Sequence, residues 1–135
     1  MIQGGRAKAY RPLPLPERRA AYEAARAAYE RGDYFEAHEL LEPAWMGTDD
    51  PAERDLHQGL IKLAAAFVHG ARGNPLGIAR NLVGARDRLA AAGAGVPREF
   101  WSDLDLGALV AAIDDILARL EAHPDDAFVE APRLP

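Results

Sequence analysis

Residues 51–72, PAERDLHQGLIKLAAAFVHGAR, decide the fold. Leu56, Leu60, Leu63 and Phe67 recur at helical spacing on one face, and Ile61, Ala64, Ala65 and Val68 recur on another. A helix that is apolar on two sides packs between neighbours, so this one is the central element of a helical domain. Its polar residues His57, Gln58, Lys62 and His69 therefore need partners, since burying each unpaired costs roughly 1–3 kcal/mol.

Outward from this helix, punctuation fixes the neighbours. Pro16 opens a first helix that runs to Arg31, and Gly32 supplies the left-handed residue that ends it. Asp33 caps a second helix over Tyr34–Met46, with a stripe of Tyr34, Ala37, Leu41 and Trp45 broadened by Phe35 and Leu40. Gly47-Thr-Asp-Asp turns the chain and Pro51 opens the central helix, which Gly73 ends. Asn74 caps and Pro75 opens a fourth helix to Ala92, with a core stripe of Ile78, Leu82, Ala85 and Leu89. After a Gly93-Ala-Gly loop and the segment 97–101, Asp103 or Asp105 caps a fifth helix carrying Leu106, Leu109, Val110, Ile113, Leu117 and Leu120. No stretch alternates with period two, so no sheet is predicted. The fold class is all-α, about five helices packed as antiparallel hairpins.

Around a single helical domain over 16–123, residues 1–15 read as an extended arm without hydrogen-bonded structure. Residues 124–135 read as a second tail, with Phe128 and Val129 as candidates to pin it. Arg31-Gly-Asp and Arg72-Gly-Asn each sit between two helices. The first of these turns is distantly like that of a tetratricopeptide repeat. Two copies at about 41 residues are too few and too widely spaced for a solenoid, so the similarity is one of capping chemistry.

Composition narrows the function classes. The 135 residues contain no cysteine, which removes disulfides and thiolate metal sites. The amino-terminal stretch lacks the apolar core of a secretory signal, and Leu60–Val68 is interrupted by Lys62 and far too short to span a bilayer. A soluble, cytoplasmic protein without membrane association is the expectation. A net charge of -5 argues against nucleic acid as a partner, and the arginines Arg80, Arg86 and Arg88 are diluted by Asp87. Serine occurs only at Ser102 and threonine only at Thr48, so no nucleophile constellation or phosphate loop emerges.

The chemistry-bearing residues gather on the second and third helices. Joined by a short turn, these should run antiparallel, which faces Glu42 towards Gln58 or His57, and His38 and Glu39 towards Ile61 and Lys62. The candidate polar pocket is thus His38, Glu39, Glu42, Trp45, His57, Gln58 and Lys62, with His69 and Asn74 a second polar spot. One reading is a satisfied network that sets helix register: His38 on a carboxylate, Glu42 on Gln58, Lys62 on Glu39. Another is a divalent-metal site from His38, Glu42 and His57, with Glu39 nearby, because imidazole and carboxylate suit zinc, manganese or iron. A third is a small-molecule or peptide pocket walled by Trp45. The first reading needs no cofactor; the sequence leaves open whether the chain is an enzyme. Gly77, Asn81, Gly84 and Arg88 form a further stripe on the fourth helix, suited either to close packing inside the chain or to a homodimer seam.

Tyr34-Phe-Glu-Ala-His-Glu-Leu-Leu-Glu-Pro-Ala-Trp, Gln58-Gly-Leu-Ile-Lys-Leu-Ala-Ala-Ala-Phe-Val-His and Gly73-Asn-Pro-Leu-Gly resemble a known pattern. They are similar to the small bacterial and archaeal proteins of domain-of-unknown-function family three hundred and nine. Its motif reads Phe-x-Ala-His-Glu-x-x-Glu-x-x-Trp, then Gln-Gly-Leu-Ile-x-x-Ala-Ala-x-x-x-His and Gly-Asn. The resemblance covers about residues 26–90 and places signature residues at Phe35, His38, Glu39, Glu42, Trp45, Gln58, Gly59, His69, Gly73 and Asn74. It implies an all-helical domain of short hairpins and supplies no activity. Lys62 stands where the family pattern has Gln.

Overall fold

The computed structural model describes residues 2–3, 6–7, 10–71, 73–93, 95–96, 101, 103–124 and 130–135. Among them are five α-helices: α1 (Leu15–Glu30), α2 (Tyr34–Met46), α3 (Pro51–Ala71), α4 (Pro75–Ala92) and α5 (Leu106–Ala122). The class is all-α. Each helix packs mainly on its neighbour in sequence, α1 on α2, α2 on α3, α3 on α4 and α4 on α5. The short connections from α1 to α2, α2 to α3 and α3 to α4 favour this packing of sequence neighbours.

The boundaries follow the local chemistry. Asp33, Asn74 and Asp105 each accept a hydrogen bond from the backbone N–H three residues on, capping α2, α4 and α5. Gly32 and Gly73 end the preceding helices at φ 79° and 67°, a region where a side chain would be strained. The α3 start is capped from further back than Pro51: Asp50 Oδ2 accepts from Glu53 N at 2.9 Å.

The core is formed by Tyr22, Ala25, Ala28 and Tyr29 of α1, Ala37, Leu41 and Ala44 of α2, and Leu56, Leu60, Leu63 and Phe67 of α3. Ile78, Leu82, Ala85 and Leu89 of α4 and Leu106, Leu109, Ile113, Ile116 and Leu120 of α5 complete it. One expected core residue is misplaced: Phe35 is 60% exposed. It sits near the start of α2, where the half-buried Tyr34 covers the core through contacts with Tyr29 and Phe67.

The amino-terminal arm differs from the expectation of an unbonded, sheet-free segment. Ile2–Gln3 (β1) and Arg6–Ala7 (β2) pair antiparallel, Ile2 with Ala7 and Gln3 with Arg6. Gly4-Gly5 between them in sequence is a pair that two-residue hairpins favour. Further on, Arg11 and Leu13 donate backbone bonds to the carbonyls of Met46 and Gly47, both at 3.0 Å, tying the arm to the end of α2. At the other end Leu134 is buried, while Arg72, residues 97–100, Ser102, Phe128 and Val129 lie outside the described residues.

The glycine stripe on α4 is turned inward. A Cβ on Gly84 would stand 2.9 Å from Lys62 Cδ, and one on Gly77 would stand 2.7 Å from the His69 ring. Arg88 pairs with Asp55 of α3 at 2.9 Å, and Asn81 donates to the Gly77 carbonyl. Gly77, Gly84 and Arg88 thus face α3 residues His69, Lys62 and Asp55 within the chain, as the close-packing reading of this stripe expects.

Candidate functional site

The most interior polar cluster is centred on Glu53, in the first turn of α3. Its carboxylate is fully buried and accepts four hydrogen bonds from three directions. Arg18 of α1 gives a forked pair, Nε to Oε2 at 2.5 Å and Nη2 to Oε1 at 3.0 Å. His57, one turn along α3, gives Nε2 to Oε2 at 3.0 Å. Trp101, in the connection between α4 and α5, gives Nε1 to Oε1 at 3.3 Å. Arg18 also donates from Nη1 to the Leu13 carbonyl.

The aromatic shell around this cluster is continuous. Trp101 meets His57 edge-on at 5.4 Å and Tyr22 edge-on at 5.9 Å between ring centroids. Arg19 lies over both Tyr22 and Trp101 and bonds Asp103 at 2.7 and 2.9 Å. The cluster therefore joins α1, α3 and the approach to α5 at one point.

Electrostatics follow from these contacts. Burial alone would push the Glu53 carboxyl up, but the bonds from His57 and Arg18 outweigh it and hold the group at about 2. His57 is shifted below its ordinary value, because burial disfavours the imidazolium more than Glu53 favours it. A carboxylate only accepts, so the neutral imidazole carries its proton on Nε2. Its Nδ1 is then a bare lone pair, buried and without a hydrogen-bond partner among the described residues. The Glu53 lone pairs, by contrast, are saturated.

An open cleft of about 520 Å³ lies beside Arg18, lined also by Pro12, Leu13, Thr48 and Asp50. The guanidinium that reaches it already has three N–H groups engaged.

The residues singled out from sequence separate into different places. His38 Nδ1 lies 3.2 Å from Glu39 Oε1, and its ring stacks nearly parallel to Phe35 with centroids 6.4 Å apart. Trp45 is half-buried beneath the Arg54 guanidinium at 5.0 Å, and Arg54 donates to the carbonyls of Trp45 and Thr48. His57 belongs to Glu53, and the Lys62 stem lies against Gly84 of α4. Glu42 and Gln58 are partly exposed, and among the described residues neither they nor Lys62 makes a side-chain hydrogen bond or ion pair. The expected Glu42–Gln58 and Glu39–Lys62 pairs therefore do not form.

His69 Nδ1 lies 3.3 Å from Asn74 Nδ2 at the α3–α4 turn, so the two residues of the second polar spot lie together. Among the described residues no group of three or more His, Asp or Glu is placed to hold a metal ion, so His38, Glu42 and His57 are not brought together as ligands. Nor is any helix among them long and apolar enough to cross a membrane.

Sequence reading missed Glu53, Arg18 and Trp101. The one local signal was Glu53 and His57 at i, i+4. An acid in the first turn of a helix is ordinary there, so Glu53 did not stand out.

No curated protein and no solved structure matches this chain. A family model does match, over a segment that runs from Tyr22 through α2 and α3 into α4 and includes Glu53, His57 and the His38 face. Residues 22–81 match the model of the family described as Domain of unknown function (DUF309), and this helical segment is similar to that family.

Proposed function

We propose that this chain is a non-catalytic helical module for binding or assembly, with its helices held in register by a buried polar network. The observation that carries this reading is the saturation of Glu53. General acid–base chemistry needs a group whose proton or lone pair a substrate can reach, tuned towards the working pH. Glu53 has neither property: its oxygens are occupied and its carboxyl titrates at about 2. The outer face of α2 supports the same reading, because exposed Phe35 stacks on His38 beside Glu39, an arrangement suited to contact and not to turnover.

The rival is a small metal-dependent hydrolase using His38, Glu39, Glu42 and His57. It needs at least three donors around one point about 2 Å from each. A fully buried His57 bonded to Glu53 and a His38 on the outer face of α2 do not favour that geometry.

Elemental analysis of protein purified without a histidine tag separates the two. The expected result is no stoichiometric metal, with an unchanged unfolding midpoint in His38→Ala. Stoichiometric metal that disappears in His38→Ala would overturn the module reading.

A further inference from the structure

The outward face of α4 carries a row of residues that the interior does not use. Leu76, Arg80, Val83, Asp87 and Ala90 follow one another in steps of four, three, four and three, and all five are exposed. On a helix they fall within roughly 40° either side of one line, opposite the buried line of Ile78, Leu82, Ala85 and Leu89. Steps of four and three are the spacing of a seam between two helices. On the flanks of α4, Gly77, Gly84 and Arg88 face α3, and Arg86 bonds Asp114 of α5 at 2.7 Å.

The composition of the row differs from that of a solvated face. Leu76 is 60% exposed and Val83 47% exposed, two turns apart on the same side. Arg80 between them makes no side-chain hydrogen bond or ion pair among the described residues. Asp87 has a long contact of 3.4 Å with Arg86, which is already held by Asp114. Charges on a solvated helix usually pair three or four residues apart on their own surface. Arg80 and Asp87 stand seven apart, roughly 10 Å along the axis, and do not pair within the chain.

Two copies of the row, laid antiparallel with Val83 on Val83, match at each position. Residues equally distant from Val83 then face each other. Leu76 lies seven residues before it and Ala90 seven after, so each leucine meets an alanine, large against small. Arg80 lies three before and Asp87 four after, so each arginine reaches an aspartate of the second copy, twice per pair. A parallel alignment sets Arg80 on Arg80 and Asp87 on Asp87, and like charges across an interface oppose association. Self-complementarity of this kind belongs to a twofold contact, in which both copies use the same patch. A foreign helix would have to bring the same charges at the same spacing; a second copy already carries them.

We propose that the outward face of α4 is the seam of a homodimer, two copies pairing antiparallel about Val83. A single helix pair is small for a specific interface, so the dimer forms and dissociates with concentration. The inference goes beyond the module reading and does not depend on it, since stoichiometric metal lost in His38→Ala would leave the α4 pairing untouched.

Sedimentation of the full chain over a concentration series tests the seam. The unmodified chain is expected to exchange between monomer and dimer. Arg80→Asp and Asp87→Arg each set like charges across the seam and should weaken the dimer at least ~10-fold. Val83→Glu, which puts two acids at the centre, should do the same. Combining Arg80→Asp with Asp87→Arg in one chain restores both pairs in the antiparallel register and should bring the dimer back to within ~3-fold of the unmodified chain. All three positions are exposed, so circular dichroism should show every variant folded. A chain that stays monomeric up to ~1 mM overturns the proposal and leaves the face to a foreign partner. A dimer that the single reversals and Val83→Glu leave intact overturns it too, by placing the seam elsewhere. So does a dimer that the single reversals weaken and the double reversal fails to restore, because the antiparallel pairing is then wrong.

Discussion

Gly59 of α3 lies directly beneath Leu89 of α4: a Cβ at position 59 would stand 2.7 Å from Leu89 Cγ. Gly84, one face over on the same interface, would meet Lys62 Cδ at 2.9 Å. The two distances are alike, but the neighbours are not. Leu89 is fully buried and its Cγ is a branch point with nowhere to go, whereas Lys62 is a flexible chain that leads outward. Gly59→Ala should therefore cost ~1–3 kcal/mol through overpacking, despite alanine's better helix propensity. Gly84→Ala should be neutral or stabilising by up to ~1 kcal/mol, as Lys62 swings aside. Chemical denaturation of both variants checks the pair, and equal losses would show that α3 and α4 do not pack as described.

Glu53 should govern the acid limb of stability. Its folded value of about 2 lies below the ordinary 4.5, so its ionised form is favoured by folding. That contribution is complete above about pH 4.5 and is lost as pH falls towards 2, an effect of roughly 3 kcal/mol. Glu53→Gln leaves the largely buried Arg18 uncompensated and should cost ~3–5 kcal/mol at neutral pH. It should also flatten the stability profile between pH 4.5 and 2, relative to the unmodified chain. Urea midpoints across that range give both readings, and an acid limb that survives in Glu53→Gln would assign it to other carboxylates.

These two cases mark how far the sequence reaches. The α2, α3 and α4 boundaries were legible because each is set by residues within one turn: Gly32 with Asp33, and Gly73 with Asn74 and Pro75. The central position of α3 followed from apolar residues on two faces. The site was not legible in the same way. Glu53 takes its partners from Arg18 and Trp101, 35 and 48 residues away in sequence, and no local period encodes those meetings. Antiparallel register placed α2 and α3 side by side correctly but could not fix their rotation. His57 consequently turned towards Trp101, and Lys62 towards α4.

The two histidines once grouped in one pocket should behave oppositely. His57 is fully buried and shifted below its ordinary value of 6.5 by burial, partly opposed by Glu53. Its neutral form is thus favoured by folding: the contribution is present above pH 6.5 and is lost as pH falls below it. His57→Gln keeps an N–H donor for Glu53 and removes the titration. The variant should lose less stability than the unmodified chain between pH 7.5 and 5.5, values chosen about one unit either side of the ordinary imidazole. His38→Ala, on the outer face of α2, should change stability by no more than ~0.5 kcal/mol at either pH. Denaturation of the three proteins at the two pH values decides it; a large loss in His38→Ala would mean that the α2 face is packed against something.

Asn74 offers a last test, because its side chain does two things at once. Oδ1 accepts from the Gly77 N–H at 3.1 Å and caps α4, while Nδ2 lies 3.3 Å from His69 Nδ1 on α3. Asp33 caps α2 in the simpler way, accepting from Glu36 N at 3.3 Å. Asp33→Ala should cost ~1 kcal/mol, the ordinary value of a lost cap. Asn74→Asp preserves the cap oxygen but removes the amide N–H that faces His69. If that N–H holds the α3–α4 turn, Asn74→Asp should still open the turn, seen as faster hydrogen exchange at the first α4 amides, with Gly77 N–H protected. Exchange at these amides that is unchanged in Asn74→Asp but accelerated in Asn74→Ala would assign the whole effect to the cap and none to His69.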